Sequence, residues 1–214
     1  MKNIIIADNQ DITQAGMAYV LSKRDNISCR VARDKSELIL LLNDCPEAVV
    51  ILDYTLFDIS SESDLLNIGQ RFPLAHLILW SEELSVDFIR HLVNASNRIS
   101  VLMKDAKMAE IEQCLGYVLQ GQRFLCQHAT NMILAPTALV DKEIVALTKT
   151  ETEILKEIAL GATTREIAEK RFSSFHTVNT HRKNIFRKLG VNNVHEAIRY
   201  AMRSGLVDAA EYYI

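Results

Sequence analysis

Residues 173–189, SSFHTVNTHRKNIFRKL, divide into two faces when wound as a helix at about 100° per residue. Val178, Ile185 and Leu189 fall on one side, and His176, Asn179, Thr180, Lys183 and Arg187 on the other. The first side can pack against a neighbour. The second carries amide, hydroxyl and cationic donors and no acidic residue, a set suited to base edges and phosphates in a major groove. Ser174 is placed to cap the helix N-terminus, whose partial positive charge suits a nearby phosphate. A charge run of this kind is by itself more often a solvated face, so the neighbouring segments decide its meaning.

Upstream, Thr163-Thr164-Arg165-Glu166 has the form of a capping box and predicts a short helix through about Arg171. Thr148-Lys149-Thr150-Glu151 is a second capping box. It opens a helix with Ile154, Leu155, Ile158 and Ala159 inward and Gly161 as its stop. A first helix, a short helix, a tight turn and a longer polar-faced helix make a helix-turn-helix. Downstream, 193–204 predicts a fourth helix with Ala197, Ile198, Ala201 and Met202 as its apolar positions and Gly205 as its end. The segment closely resembles the DNA-binding domain of the LuxR/NarL family. The matching pieces are Leu147-Thr148, Glu151, Ile154-Leu155, Gly161, Glu166-Ile167-Ala168, Thr177-Val178, Thr180-His181, Asn184-Ile185 and Lys188-Leu189-Gly190-Val191. The resemblance implies double-stranded DNA as partner and a homodimer that engages two half-sites. Asn179, Thr180 and Lys183 are then the candidates for base-edge contacts, and Ser174, His176, Thr177, Arg187 and Lys188 for backbone contacts.

Before residue 122 the pattern changes. Apolar runs at 3–7, 28–32, 48–52, 76–80 and 99–103 predict strands; helices are predicted near 12–24, 35–44, 62–72, 85–96 and 107–121. Asp34-Lys35-Ser36-Glu37 has the form of a capping box for the second helix. Five βα units with uninterrupted apolar strands imply a doubly wound parallel five-stranded sheet covered on both faces, an α/β domain followed by a small all-α helix-turn-helix domain. Functional groups gather at the carboxyl ends of such strands. Those ends carry Asp8 and Asn9, Asp53, Ser81, and Lys104. Two carboxylates, a hydroxyl and an ammonium form a set able to make and hold an acyl-phosphate. Asp53 would attack phosphorus, carboxylates would hold Mg²⁺, and Lys104 and Ser81 would hold phosphoryl oxygens.

This order resembles the receiver domain of two-component response regulators over residues 1–122. The resemblance implies a flavodoxin-like fold with strand order 2-1-3-4-5 and a sensor histidine kinase as partner. It makes Asp53 the phosphoacceptor, and Asp8, Asn9, Ser81 and Lys104 its receiver pocket. It gives Asp8, Asp53 and, through its backbone carbonyl, Thr55 as Mg²⁺ ligands. Four departures stand against a working pocket. Asn9 removes one negative charge from the metal site and weakens Mg²⁺. Glu82 stands where a small residue usually admits phosphate, and its charge would repel a phosphoryl group. Residues 54–58 lack the usual proline and glycine, and Val101 takes the place of an aromatic switch residue. Asp11, near the acidic pair, is a candidate replacement for the lost carboxylate. Two readings stay open: a domain phosphorylated at Asp53, and an atypical, phosphorylation-independent receiver. Outside the regulator class, two alternatives are an interaction module with secondary DNA binding and an Asp-nucleophile phosphatase. The phosphatase would want a second carboxylate two residues after the nucleophile, where Thr55 stands; an enzyme is not expected.

Whole-chain numbers hide this division. The 214 residues carry a net charge of −3. Residues 148–214 hold 11 Lys+Arg against 8 Asp+Glu, a balance of +3, and the rest hold 13 against 19, a balance of −6. Attraction for phosphate is thus concentrated in the C-terminal third. No apolar run approaches the length of a membrane span, and MKNIIIADNQ is too short a run for a signal peptide, so a cytoplasmic chain is expected. Cys29, Cys45, Cys114 and Cys126 lack metal or redox spacing and are expected to be small apolar residues. His76 and His91 lack metal spacing, and Trp80 is expected in the core. The segment 123–146 is expected to be a partly helical linker, too apolar for a free tether, and 147–214 the DNA-binding domain. The aromatic tail DAAEYYI is expected to pack at a dimer interface or to fray.

Overall fold

The computed structural model describes residues 1–82, 84–135 and 146–207. They divide into two compact units, Met1–Ala135 and Pro136–Ile214.

The first unit alternates strand and helix. The strands are β1 (Lys2–Ala7), β2 (Ile27–Ala32), β3 (Val49–Leu52), β4 (His76–Ser81) and β5 (Ile99–Met103). The helices are α1 (Asp11–Ser22), α2 (Lys35–Asp44), α3 (Glu62–Arg71), α4 (Val86–Ala95) and α5 (Met108–Leu119). All strand pairs are parallel, in the order β2-β1-β3-β4-β5. Ile4, Ile5 and Ile6 are buried together, as are Val49 through Leu52. Consecutive residues of one strand point to opposite faces, so burial of every residue means that helices cover both sides. Strand order changes direction between β1 and β3, and this is where the ends of these strands open a crevice.

One expected cap is only half made. Asp34 accepts from the Glu37 backbone N–H, but Glu37 Oε2 takes its bond from Arg33 N at 2.9 Å rather than from Asp34. The first part of the expected linker, 123–146, packs on this unit. Phe124 and Cys126 run beside the edge strand, with Val101 N donating to Phe124 O and Cys126 N to Val101 O. A sixth helix, α6 (Gln127–Leu134), follows and buries Ala129 in the same core. Glu110 of α5 accepts from Gln127 N at 2.7 Å, and Arg90 of α4 donates to Ile133 O at 2.9 Å, so both ends of α6 are tied down. Apolar β5 would otherwise present an open edge, and these residues occupy it.

The second unit is helical among the described residues: α7 (Lys149–Ala159), α8 (Thr164–Lys170), α9 (Phe175–Leu189) and α10 (Val194–Arg203). Both of its capping boxes form with their reciprocal bonds. Its core is separate and joins Ile154, Leu155, Ile158, Ile167, Val178, Ile185 and Ala197. The sequence DAAEYYI and residues 136–145 lie outside the described residues.

Candidate functional sites

Chain turns at the ends of β1, β3, β4 and β5 bring the expected pocket together. Lys104 Nζ lies 2.8 Å from Asp53 Oδ2 and 3.1 Å from Asp8 Oδ2. Asp53 is 1 % exposed, and its other oxygen accepts from Thr55 N at 3.0 Å. Ser81 is buried, and its hydroxyl accepts from Tyr54 N at 3.1 Å, which fixes the turn after Asp53. Burial pushes the Asp53 carboxyl up to about 6; Lys104 pulls it down and the charge of Asp8 adds to the rise. Burial works against the Lys104 charge, but the carboxylates of Asp53 and Asp8 outweigh it and hold its pKa above the ordinary lysine value.

Asn9 is not part of this cluster. It is exposed, and its amide donates to Leu56 O at 3.1 Å. The pocket takes Gln10 instead, a residue the sequence reading passed over. Gln10 Oε1 accepts from Lys104 Nζ at 3.1 Å, and Gln10 N donates to Asp8 Oδ1 at 2.7 Å. Gln14, one turn into α1, donates to Asp8 O at 2.6 Å. A neutral amide beside an acidic residue has no diagnostic spacing, so only its proximity to Lys104 marks it. Asp11 is exposed in the first turn of α1. Glu82 is half-buried directly after Ser81. Each oxygen of Asp8 and of Asp53 accepts one hydrogen bond, which leaves lone pairs for a cation. The two carboxylates would hold Mg²⁺ with water in its remaining positions, and with less attraction than a site with a third carboxylate. Beside Lys104 a cavity of about 300 Å³ opens between α1 and α5, floored by Met17, Trp80 and Ile111. Trp80 is therefore half-buried at a cavity wall rather than sealed in the core.

In the second unit α9 carries its two faces as read. Val178 and Ile185 are buried. His176, Thr180, Lys183 and Arg187 are exposed, with Asn179 half-buried beside them. Ser174 caps the helix through Thr177 N at 3.0 Å, and its hydroxyl also lies 2.8 Å from that of Thr177. Thr180 donates to His176 O, and Arg187 to Asn184 Oδ1, both at 3.0 Å. Lys188 differs from the other candidates. Its Nζ lies 2.6 Å from Oε2 of Glu151, a buried carboxylate of α7. Five residues beyond Lys183 the helix has turned by about 140°, which carries Lys188 to the side that meets α7. It is a tie between two helices. Arg182 and Phe186 are buried on the packing side, with the guanidinium 5.8 Å from the ring centroid; as cation and aromatic in a basic run they gave no sign of this.

Comparison with known proteins supports both halves. Residues 145–201 match the family model described as bacterial regulatory proteins, luxR family. The transcriptional regulatory protein LiaR of Bacillus subtilis is 27 % identical over 212 residues, spanning 97 % of this chain and all of LiaR. The oxygen regulatory protein NreC of Staphylococcus aureus is 24 % identical over 217 residues, covering 96 % and 99 % of the two chains. Among solved structures, the RcsB response regulator of Salmonella typhimurium aligns with a TM-score of 0.55 at 21 % identity, over 94 % of this chain and 98 % of that one. A structure of a two-component response regulator RcsB–DNA complex aligns with a TM-score of 0.54 at 22 % identity, over 93 % and 96 %. At those identities the structural likeness speaks for the fold.

Proposed function

We propose, from the premise that this chain is a LuxR/NarL-family response regulator with a receiver domain and a luxR-type helix-turn-helix, that it regulates transcription by entering the major groove with α9. The observation that carries this reading is the exposed stripe His176, Thr180, Lys183 and Arg187, with half-buried Asn179 beside it, on a helix backed by its own apolar core. The matched relatives are transcriptional regulators by name, which leaves the phosphatase alternative without support. Binding as a homodimer would set two copies of α9 in successive grooves, so the target has two related half-sites. Asn179, Thr180 and Lys183 read base edges; His176, Thr177 and Arg187 meet the sugar–phosphate backbone, with Ser174 holding the helix end that faces it. The chain acts in the cytoplasm, where its DNA lies. Lys183→Ala should weaken binding to a selected duplex by about 1–3 kcal/mol in a competition titration. Unchanged affinity would overturn the assignment of α9.

Control of the receiver is a separate matter. We propose that it works without phosphate on Asp53. The support is a hydrogen-bonded pocket: Lys104 pairs with both carboxylates, Gln10 completes the cluster, and Asn9 is drawn to Leu56. Glu82 adds a charge that opposes an incoming phosphoryl group. Abundance, a protein partner or a small ligand would then set activity, the last favoured by the cavity beside Lys104. Intact-mass measurement after incubation with acetyl phosphate and Mg²⁺, with Asp53→Ala alongside, checks it. No adduct is expected in either protein. One phosphate on the wild type alone would return Asp53 to the role of phosphoacceptor, with a sensor histidine kinase as its donor.

A further inference from the structure

Phe172 is fully exposed, at 100 %, and its backbone has φ of 51°. It ends α8. Phe172 N donates to Glu169 O at 3.2 Å and Ser173 N to Ala168 O at 2.9 Å, the paired bonds of a Schellman cap. The same pair of bonds closes α5 at Gly121, α7 at Gly161, α9 at Gly190 and α10 at Gly205. Those four left-handed positions are all glycine, with φ between 65° and 87°. The fifth carries a bulky side chain that the left-handed region disfavours. No burial offsets that strain, since the ring is wholly in solvent. Local stability therefore gives no reason for a phenylalanine here.

Its place suggests one. Phe172 stands two residues before Ser174, the N-cap of α9, so it leads directly into the helix end that enters a groove. Ser174, Phe175, His176 and Thr177, which follow it, are exposed. We propose, resting on the DNA-binding reading above, that Phe172 is an apolar contact to duplex DNA. Its ring would lie on deoxyribose carbons or a thymine methyl at the rim of the groove that receives α9. The strained cap is then retained because it holds the ring outward, next to the phosphate and base contacts of the helix N-terminus.

The experiment uses the full chain and a duplex selected by the wild type from a random library. Phe172→Gly and Phe172→Asn suit the left-handed position. Their thermal midpoints should equal or exceed that of the wild type, while affinity for the selected duplex falls at least about fivefold. The slope of log affinity against log salt should not change, because no phosphate contact is removed. Phe172→Leu should keep most of the affinity. Replacing thymine by uracil in the duplex separates the two apolar partners: a loss seen in the wild type but not in Phe172→Gly indicates the methyl, and no loss indicates the sugar. Affinity within twofold of wild type in both Phe172→Gly and Phe172→Asn overturns the proposal, as does a changed sedimentation of the DNA-free protein with affinity per dimer unaltered. Lys183→Ala is run beside them. If it weakens binding while both Phe172 variants do not, only this inference falls; if the wild type selects no duplex, the DNA-binding reading falls with it.

Discussion

At the scale of single side chains, His76 makes the first unit sensitive to acid. It is buried on β4, with Nε2 2.8 Å from Ser100 Oγ and no hydrogen-bond partner for Nδ1. Burial, with a smaller push from Arg98, lowers its pKa to about 4. An unfolded histidine takes up a proton near pH 6.5, whereas the folded one refuses it until about pH 4. Between those values the unfolded state holds the extra proton, so stability falls as pH falls. The loss should reach about 3 kcal/mol by pH 4. Urea unfolding of the wild type and of His76→Leu, followed from pH 7.5 to 4.5, measures it. The variant starts less stable, having broken the bond to Ser100, and should lose less on acidification. Parallel pH profiles would show that another group carries the acid sensitivity. Asp53 acts with the opposite sign: its raised pKa means that the folded state binds a proton more readily than the unfolded one between about pH 4 and 6, which favours folding as pH falls through that window.

At the scale of elements, the tie between α7 and α9 is the contact whose loss should be felt most widely. Burial alone would raise the Glu151 pKa; the bonds from Lys188 and Thr148 outweigh it and hold the carboxyl below the ordinary range. Lys188→Met leaves that carboxylate buried with its cap bonds alone. It should cost about 2–3 kcal/mol, somewhat less than a deeply buried pair. Adding Glu151→Gln should cost less than the two changes summed, because the second removes the charge stranded by the first. Chemical denaturation of the two single variants and the double variant tests this. An unchanged denaturation midpoint in Lys188→Met, with a salt slope for DNA binding lower by about one, would restore Lys188 to the phosphate contacts. Lys188 also marks where sequence stopped being enough. Both faces of α9 were legible, because Val178 and Ile185 recur at helical spacing. Inside a basic run, however, the side that Lys188 takes depends on where α7 lies. The strands of the first unit were legible for a different reason: only a sheet covered on both faces needs four consecutive apolar residues such as Val49–Leu52. The ends of Asp8, Asp53, Ser81 and Lys104 were legible with them. Gln10 was not, since an amide joins that cluster by proximity alone, and neither was the capture of Phe124–Cys126 by the β5 edge, a pairing between segments with no local pattern.

At the scale of the whole molecule, the charge division bears on how strongly the chain meets DNA of any sequence. The C-terminal residues from 148 hold a balance of +3 and the remainder −6. Phosphates attract the first and repel the second over a range set by the Debye length, about 8–10 Å near physiological salt. The helix-turn-helix unit has a core of its own, from Ile154 to Val207. A fragment of residues 146–214 should therefore bind random-sequence duplex more tightly than the full chain at low salt, by several-fold. The ratio should shrink as salt rises from about 50 to 300 mM, because screening weakens repulsion by the exposed acidic surface. Fluorescence anisotropy with a labelled random duplex, run with both proteins over that range, measures the ratio directly. A ratio that stays constant with salt would remove the electrostatic explanation. A full chain that binds more tightly than the fragment at every salt concentration would mean that pairing of chains outweighs the repulsion, since two linked copies of α9 gain by effective concentration. The expected order, fragment above full chain and converging with salt, would make the first unit a brake on non-specific binding, leaving occupancy to sites that the proposed base contacts of Asn179, Thr180 and Lys183 would select.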